Sequence, residues 1–199
     1  ETYAFNHPET YVDQRDIRDV DAKAVRLKLG IKRGELDLIS GGPPCQGYSI
    51  NAPVRSSEDA RNHLFKEYLR FVDEFYPQAV LIENVPGLVS FEGGSTLDAI
   101  LTSLEKLGYK SDVQILYAPH YGVPQTRWRT IVMGIRNGCT ASTAFPEPVR
   151  EAPSESTLQH GLRGATLLLS PSRLNCPPSY RSRTPSMIFR FSRMVRSGQ

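Results

Sequence analysis

The run Ala79-Val80-Leu81-Ile82 constrains the fold most, because four consecutive apolar residues belong to a strand covered on both faces. Residues 62–76 place Leu64, Phe65, Tyr68, Leu69, Val72 and Phe75 at helical spacing, and Pro77 ends the pattern. An earlier run, Leu36-Asp37-Leu38-Ile39, reads as a second buried strand. Two buried strands joined by one helix are expected to be parallel. Farther on, Leu97, Ile100, Leu101, Leu104 and Leu107 form one stripe over 96–107, closed by Gly108. Residues 113–117 and 130–135 read as two more strands. The expectation is an α/β domain with a mostly parallel sheet and helices on both faces.

After about residue 137 this periodicity stops. Residues 150–199 are rich in Ser, Pro and Arg, and only 166–169 offer a short apolar run. A division follows, with a globular body over 1–149 and an irregular tail over 150–199. Charge divides the same way. The body carries 16 Lys and Arg against 19 Asp and Glu, whereas the tail carries 8 Arg against 2 Glu. The net charge of +3 therefore arises in the tail. The absence of an initiating Met, with the abrupt loss of pattern, suggests a truncated or frame-disrupted product.

Several classes are excluded. No run approaches the roughly 18 apolar residues of a membrane span. The 3 cysteines, Cys45, Cys139 and Cys176, are too scattered for a disulfide framework, and the 4 histidines lack metal-ligand spacing. No metal and a reducing compartment are expected.

Three short segments carry chemistry. Pro43-Pro44-Cys45-Gln46 follows the first strand, within Gly41-Gly42 to Tyr48-Ser49. That places a thiol at the carboxyl end of a strand, the edge where open α/β sheets bind ligands. A cysteine there can act as a nucleophile, although alone it reads equally as a small buried hydrophobe. Glu83-Asn84-Val85 leaves the second strand, and a carboxylate there needs a partner or a task. If the strands are parallel, Cys45 and Glu83 can face one cavity. In Gln125-Thr126-Arg127-Trp128-Arg129, extended backbone puts Arg127 and Arg129 on one face. That face could stabilise an anion or pair with Glu83.

Taken in order, Pro43-Pro44-Cys45-Gln46, Asp59-Ala60-Arg61, Glu83-Asn84-Val85 and Gln125-x-Arg127-x-Arg129 resemble the signature blocks of DNA cytosine-5 methyltransferases. The 38 residues from Cys45 to Glu83 and the 44 from Glu83 to Arg127 also suit that family. The resemblance spans about residues 1–149 and implies an incomplete Rossmann-like methyltransferase sheet. It implies that Cys45 attacks C6 of a cytosine flipped from double-stranded DNA, while Glu83 serves N3. Arg129, and less directly Arg127, would stabilise the base carbonyl and the charged intermediate. The methyl donor it implies is S-adenosylmethionine, with Pro44 lining it and Asp16, Ile17 and Leu64 as further cofactor neighbours. Asn84 would hold the Pro-Cys loop, and Gln46 and Ser49 match the mobile loop that closes over DNA, so the three are taken as substrate-binding. It further implies a monomer acting in restriction-modification or as an orphan methylase. Such an enzyme belongs in the bacterial cytoplasm at the nucleoid, or in the nucleus of a eukaryote.

The chain also departs from that pattern. It contains no Gly-x-Gly, so the family's first cofactor loop has no counterpart, and the ribose-binding Glu of the second block is missing. Residues 145–148 suit the start of a target-recognition region, but 175–199 do not continue it. Weak cofactor affinity and low or no activity are therefore expected of this chain. A tRNA cytosine-5 methyltransferase of the same fold is the near alternative, against which Gly47-Tyr48-Ser49 speaks. A non-catalytic remnant binding nucleic acid through its arginines is the distant one. A thiol hydrolase using Cys45 with His63 or His120 leaves the Glu-Asn-Val block unexplained.

Overall fold

The structure is a computed structural model, and it describes residues 2–44, 64–141, 143–150 and 187–189. Cys45, Gln46 and Ser49 lie outside the described residues, as do residues 59–61. Five strands form one sheet: β1 (Leu38–Gly41), β2 (Ala79–Asn84), β3 (Tyr109–Tyr117), β4 (Trp128–Arg136) and β5 (Met187–Phe189). Their order across the sheet is β3-β4-β2-β1-β5. β1 runs parallel to both β2 and β5, and β4 runs antiparallel to both β2 and β3.

Among these strands β4 alone is reversed, so the sheet is mostly parallel in direction but mixed in its pairing. The cause is the short connection over 118–127, which turns the chain straight back. A parallel return needs a longer crossover, usually a helix. The tail read as irregular supplies β5, a three-residue edge strand beside β1.

The helices are α1 (Thr2–Asn6), α2 (Ala22–Lys28), α3 (Leu64–Phe75) and α4 (Ser95–Lys106). Asp21 caps α2, accepting from the backbone N–H groups of Lys23 at 2.8 Å and Ala24 at 3.2 Å. Helix α3 packs between α2 and α4. It buries Phe65, Tyr68, Leu69, Val72 and Phe75 of the stripe that its spacing predicted, together with Phe71, while Leu64 is only partly buried. Its Tyr68 hydroxyl donates to the carbonyls of Ile39, at 2.9 Å, and Leu81, at 3.2 Å. One side chain thus straddles β1 and β2, and burial pushes that hydroxyl's pKa far up.

The core lies on the sheet face formed by Ile39, Val80, Ile82 and Val132, all fully buried. Gly134 of β4 lets α4 and β2 approach closely there. A Cβ at that position would sit 2.6 Å from Val80 Cγ2, a distance no packed carbon tolerates. The opposite face carries Leu81, Ile131 and Met133, each only partly buried. Glu83 and Arg129 share that second face, by the alternation of their strands.

Candidate active site

The site is built at the carboxyl end of β1 and β2. β2 extends two residues beyond its apolar run, because Glu83 and Asn84 pair with Ile131 and Thr130 of β4. Glu83 is thus a strand residue, whose side chain is fixed in direction by the pleat. Its neighbour Asn84 points to the buried face.

Arg129 lies two residues before Ile131, the residue opposite Glu83, and diagonal neighbours of that kind reach each other on one face. Its Nε donates to Glu83 Oε1 in a short, charge-assisted bond. Its Nη1 donates to the Trp128 carbonyl at 2.7 Å. The guanidinium is therefore held at two points while the carboxylate keeps access to solvent, with 44% of the Glu83 side chain exposed.

Gly42 decides where that carboxylate rests. A Cβ on Gly42 would lie 3.3 Å from Glu83 Oε2 and 3.5 Å from the Glu83 carbonyl oxygen. Gly42 does not have a positive φ, so its role is space rather than backbone freedom. The acid sits directly against the turn that leads into Pro43-Pro44-Cys45. Asn84 ties the same turn down, for its Nδ2 donates to the Pro43 carbonyl at 3.1 Å and its Oδ1 accepts from Val85 N–H at 2.8 Å. On the other side of Val85, the buried Thr130 hydroxyl donates to its carbonyl at 3.2 Å.

Of the expected catalytic groups, the structure brings Glu83 and Arg129 into contact beside the loop that carries Cys45. Arg127 is not with them. It lies one residue before β4, in a turn where its N–H donates to the Gln125 carbonyl at 2.9 Å, and it is exposed. Its carbonyl accepts from Ala118 N–H at 2.9 Å, so it continues the pairing toward the β3 side. Asn84, expected to hold the Pro-Cys loop, has its amide on that loop's backbone.

The residues expected as cofactor neighbours lie on three separate segments. Ile17 is partly buried in a 3-10 turn (Ile17–Asp19), and its carbonyl accepts from Arg70 Nη2 of α3 at 2.8 Å. Leu64 begins α3 and Pro44 ends the described part of the loop, both partly buried. Asp16 caps the 3-10 turn, accepting from Arg18 N–H at 2.9 Å, and its Oδ2 pairs with Arg18 Nη2 at 2.6 Å. These bonds lower its pKa to about 2. Sequence reasoning missed Gly42 and Thr130. For Gly42 the sequence shows only a glycine pair, and the close carboxylate behind it is visible in the structure alone. Thr130 carried no signal, because one hydroxyl in a strand has no motif. No cluster able to hold a metal ion occurs among the described residues.

A family profile described as C-5 cytosine-specific DNA methylase matches residues 1–170. The chain is 46% identical over 137 residues to type II methyltransferase M.AgeI of Thalassovita gelatinovora, covering 69% of this chain and 32% of that protein. It is 37% identical over 150 residues to type II methyltransferase M1.HphI of Haemophilus parahaemolyticus, covering 74% and 39%. The chain thus spans 32% of one of those relatives and 39% of the other. Among solved structures it resembles a prophage-encoded DNA modification methyltransferase of E. coli, with a TM-score of 0.57 and 29% identity over 68% of this chain and 36% of that one. It also resembles a mutant of Spodoptera frugiperda DNMT2, with a TM-score of 0.52 and 25% identity over 69% and 39%.

Proposed function

Since the chain belongs to the C-5 cytosine-specific DNA methylase family, we propose that its site methylates C5 of cytosine in double-stranded DNA through a covalent bond from Cys45. The observation that carries this reading is the Glu83 carboxylate, gripped by Arg129 and seated against Gly42 at the root of the Pro-Cys loop. C5 of cytosine is a weak nucleophile until the ring gains electron density. The Cys45 thiolate adds to C6, and Glu83 carries the proton that N3 takes as that density arrives. Arg129 keeps the carboxylate aimed and places positive charge beside the base carbonyl. C5, now enamine-like, is the position that becomes methylated. Loss of its proton restores the double bond and expels the Cys45 sulfur. The base must leave the duplex first, because stacking hides both faces of the ring.

The residues at the edge fit a nucleoside-bearing methyl donor. Ile17, Leu64 and Pro44 are each partly buried and apolar, and Asp16 offers a carboxylate whose remaining lone pairs can accept from an amine or hydroxyl. Asp16, Ile17 and Leu64 would hold the adenosine end of S-adenosylmethionine, and Pro44 would line its reactive end. When bound, S-adenosylmethionine supplies an electrophilic methyl group. Gln46 and Ser49 would meet the DNA, and Arg127, exposed on its turn, would meet it or the intermediate. The chain acts as a monomer in this reading, in the compartment that holds the DNA.

Turnover by this chain is expected to be slow, so the test is single-turnover methyl transfer from labelled S-adenosylmethionine, at saturating donor, to duplex DNA and to tRNA. Label in DNA that disappears with Cys45→Ser supports the proposal. Label in tRNA alone, or label unchanged by Cys45→Ser, contradicts it.

A further inference from the structure

The β3–β4 turn carries an aromatic cluster that the proposed chemistry does not use. Tyr117, the last residue of β3, stands opposite Trp128, the first of β4. Their rings stack with centroids 4.1 Å apart at 23°. His120 closes the cluster edge-on, 5.3 Å from Tyr117 and 6.5 Å from Trp128. The turn holding His120 is a 3-10 helix (Ala118–Tyr121), and its other side grips the chain beyond β4. The His120 carbonyl accepts from Val149 N–H at 2.9 Å and Arg150 N–H at 3.1 Å. The Tyr121 hydroxyl donates to the Pro146 carbonyl at 3.2 Å. One residue past Trp128 stands Arg129, whose Nη1 rests on the Trp128 carbonyl at 2.7 Å.

We propose that Trp128 is a positioning residue for Arg129, and that its stack couples the grip of Arg129 on Glu83 to the seating of residues 146–150 on the β3–β4 turn. The reasoning is one of strand ends. The last pair of a ladder is the first to fray; here one backbone bond lies beyond it, from Ala118 N–H to the Arg127 carbonyl at 2.9 Å, and the stacked cross-strand aromatic pair reinforces it. Fraying by one residue here would displace the carbonyl that supports Arg129. The histidine ring that closes the stack belongs to the residue whose carbonyl holds 149 and 150. A shift of that segment therefore reaches the ring, the stack and the guanidinium in turn. The value of the coupling to catalysis rests on the function proposed above. The contacts themselves do not, so they are tested without turnover.

Trp128 is the 1 tryptophan of the chain, so its emission reports the cluster directly. The Arg129 Nε–H resonance reports the ion pair and is assigned by its loss in Arg129→Lys. In Trp128→Leu, exchange of that proton with solvent should quicken by about tenfold, roughly what one aromatic pair is worth. Core amides of β2 and β4 such as Ile82 and Val132 should keep their rates. Trp128→Tyr, which retains a stack, should stay within about threefold of the wild type. Val149→Pro removes one N–H from the His120 carbonyl at an exposed position and should shift Trp128 emission to the red and move the Arg129 resonance. Unchanged Arg129 exchange in Trp128→Leu, or equal quickening of the core amides, would show a merely structural role. Should Trp128→Leu fail to fold, Val149→Pro decides, and unmoved signals in that variant overturn the proposal.

Discussion

Replacing Gly42 with alanine separates what holds the fold from what aims the acid. The new methyl would meet Glu83 Oε2 at 3.3 Å and the Glu83 carbonyl oxygen at 3.5 Å. The carbonyl contact is ordinary, so the carboxylate is what must give, turning by a few tenths of an ångström against its bond to Arg129. An ion pair this open to water is worth about 1 kcal/mol at most. Against that loss, alanine stabilises by about 0.4–1 kcal/mol through the unfolded chain, since the backbone at 42 needs no positive φ. The two nearly cancel, and the melting temperature should move by no more than about 2–4 °C. Methyl transfer should fall by about 10²-fold, the lower range for losing a positioned proton donor. Glu83→Gln should lose as much, and the double variant little more than either alone. The assays are a thermal melt and labelled methyl transfer to duplex DNA. Wild-type activity in Gly42→Ala, or losses that simply add in the double variant, would refute the steric argument.

Three further outcomes follow from the geometry. Asn84→Ala leaves the Pro43 carbonyl and the Val85 N–H without their amide partner in a buried place, and urea denaturation should show a loss of about 1–3 kcal/mol. Gly134→Ala drives a carbon to 2.6 Å from Val80 Cγ2 and should cost about 1–3 kcal/mol or more by the same measurement, with Val80→Ala partly restoring it. The Asp16 carboxyl titrates lower in the folded chain, at about 2, than when unfolded, because Arg18 bonds to its charged form. Its contribution is therefore present above about pH 4 and lost as pH falls toward 2, so Asp16→Asn should flatten that part of the urea midpoint against pH.

Much of the architecture was legible. The stripe over 62–76 appears as α3, and the stripe over 96–107 as α4. The buried strand at 79–82 appears as β2, though two residues longer, since an apolar run marks only the covered part of a strand. β3 begins at Tyr109 rather than near 113, because its outward residues Lys110 and Asp112 break any apolar run. Direction was less legible than content. Nothing in 128–136 announces that β4 runs backwards; only the shortness of the 118–127 connection does. The same reversal sets Arg129 diagonal to Glu83, so the pair was expected from residue type but its register was not. Arg127 stands one residue before β4 and is exposed.

The proposed reaction requires a bond from Cys45 to a cytosine carbon. A duplex with 5-fluorocytosine at every cytosine needs no knowledge of the target sequence, and fluorine at C5 blocks the proton loss that would release the sulfur. Incubated with this duplex and S-adenosylmethionine, digested and weighed by mass spectrometry, the peptide containing Cys45 should carry a methylated fluorocytosine nucleotide. The adduct should be absent in Cys45→Ser. An adduct on Cys139 or Cys176 instead, or one that survives Cys45→Ser, would contradict the account.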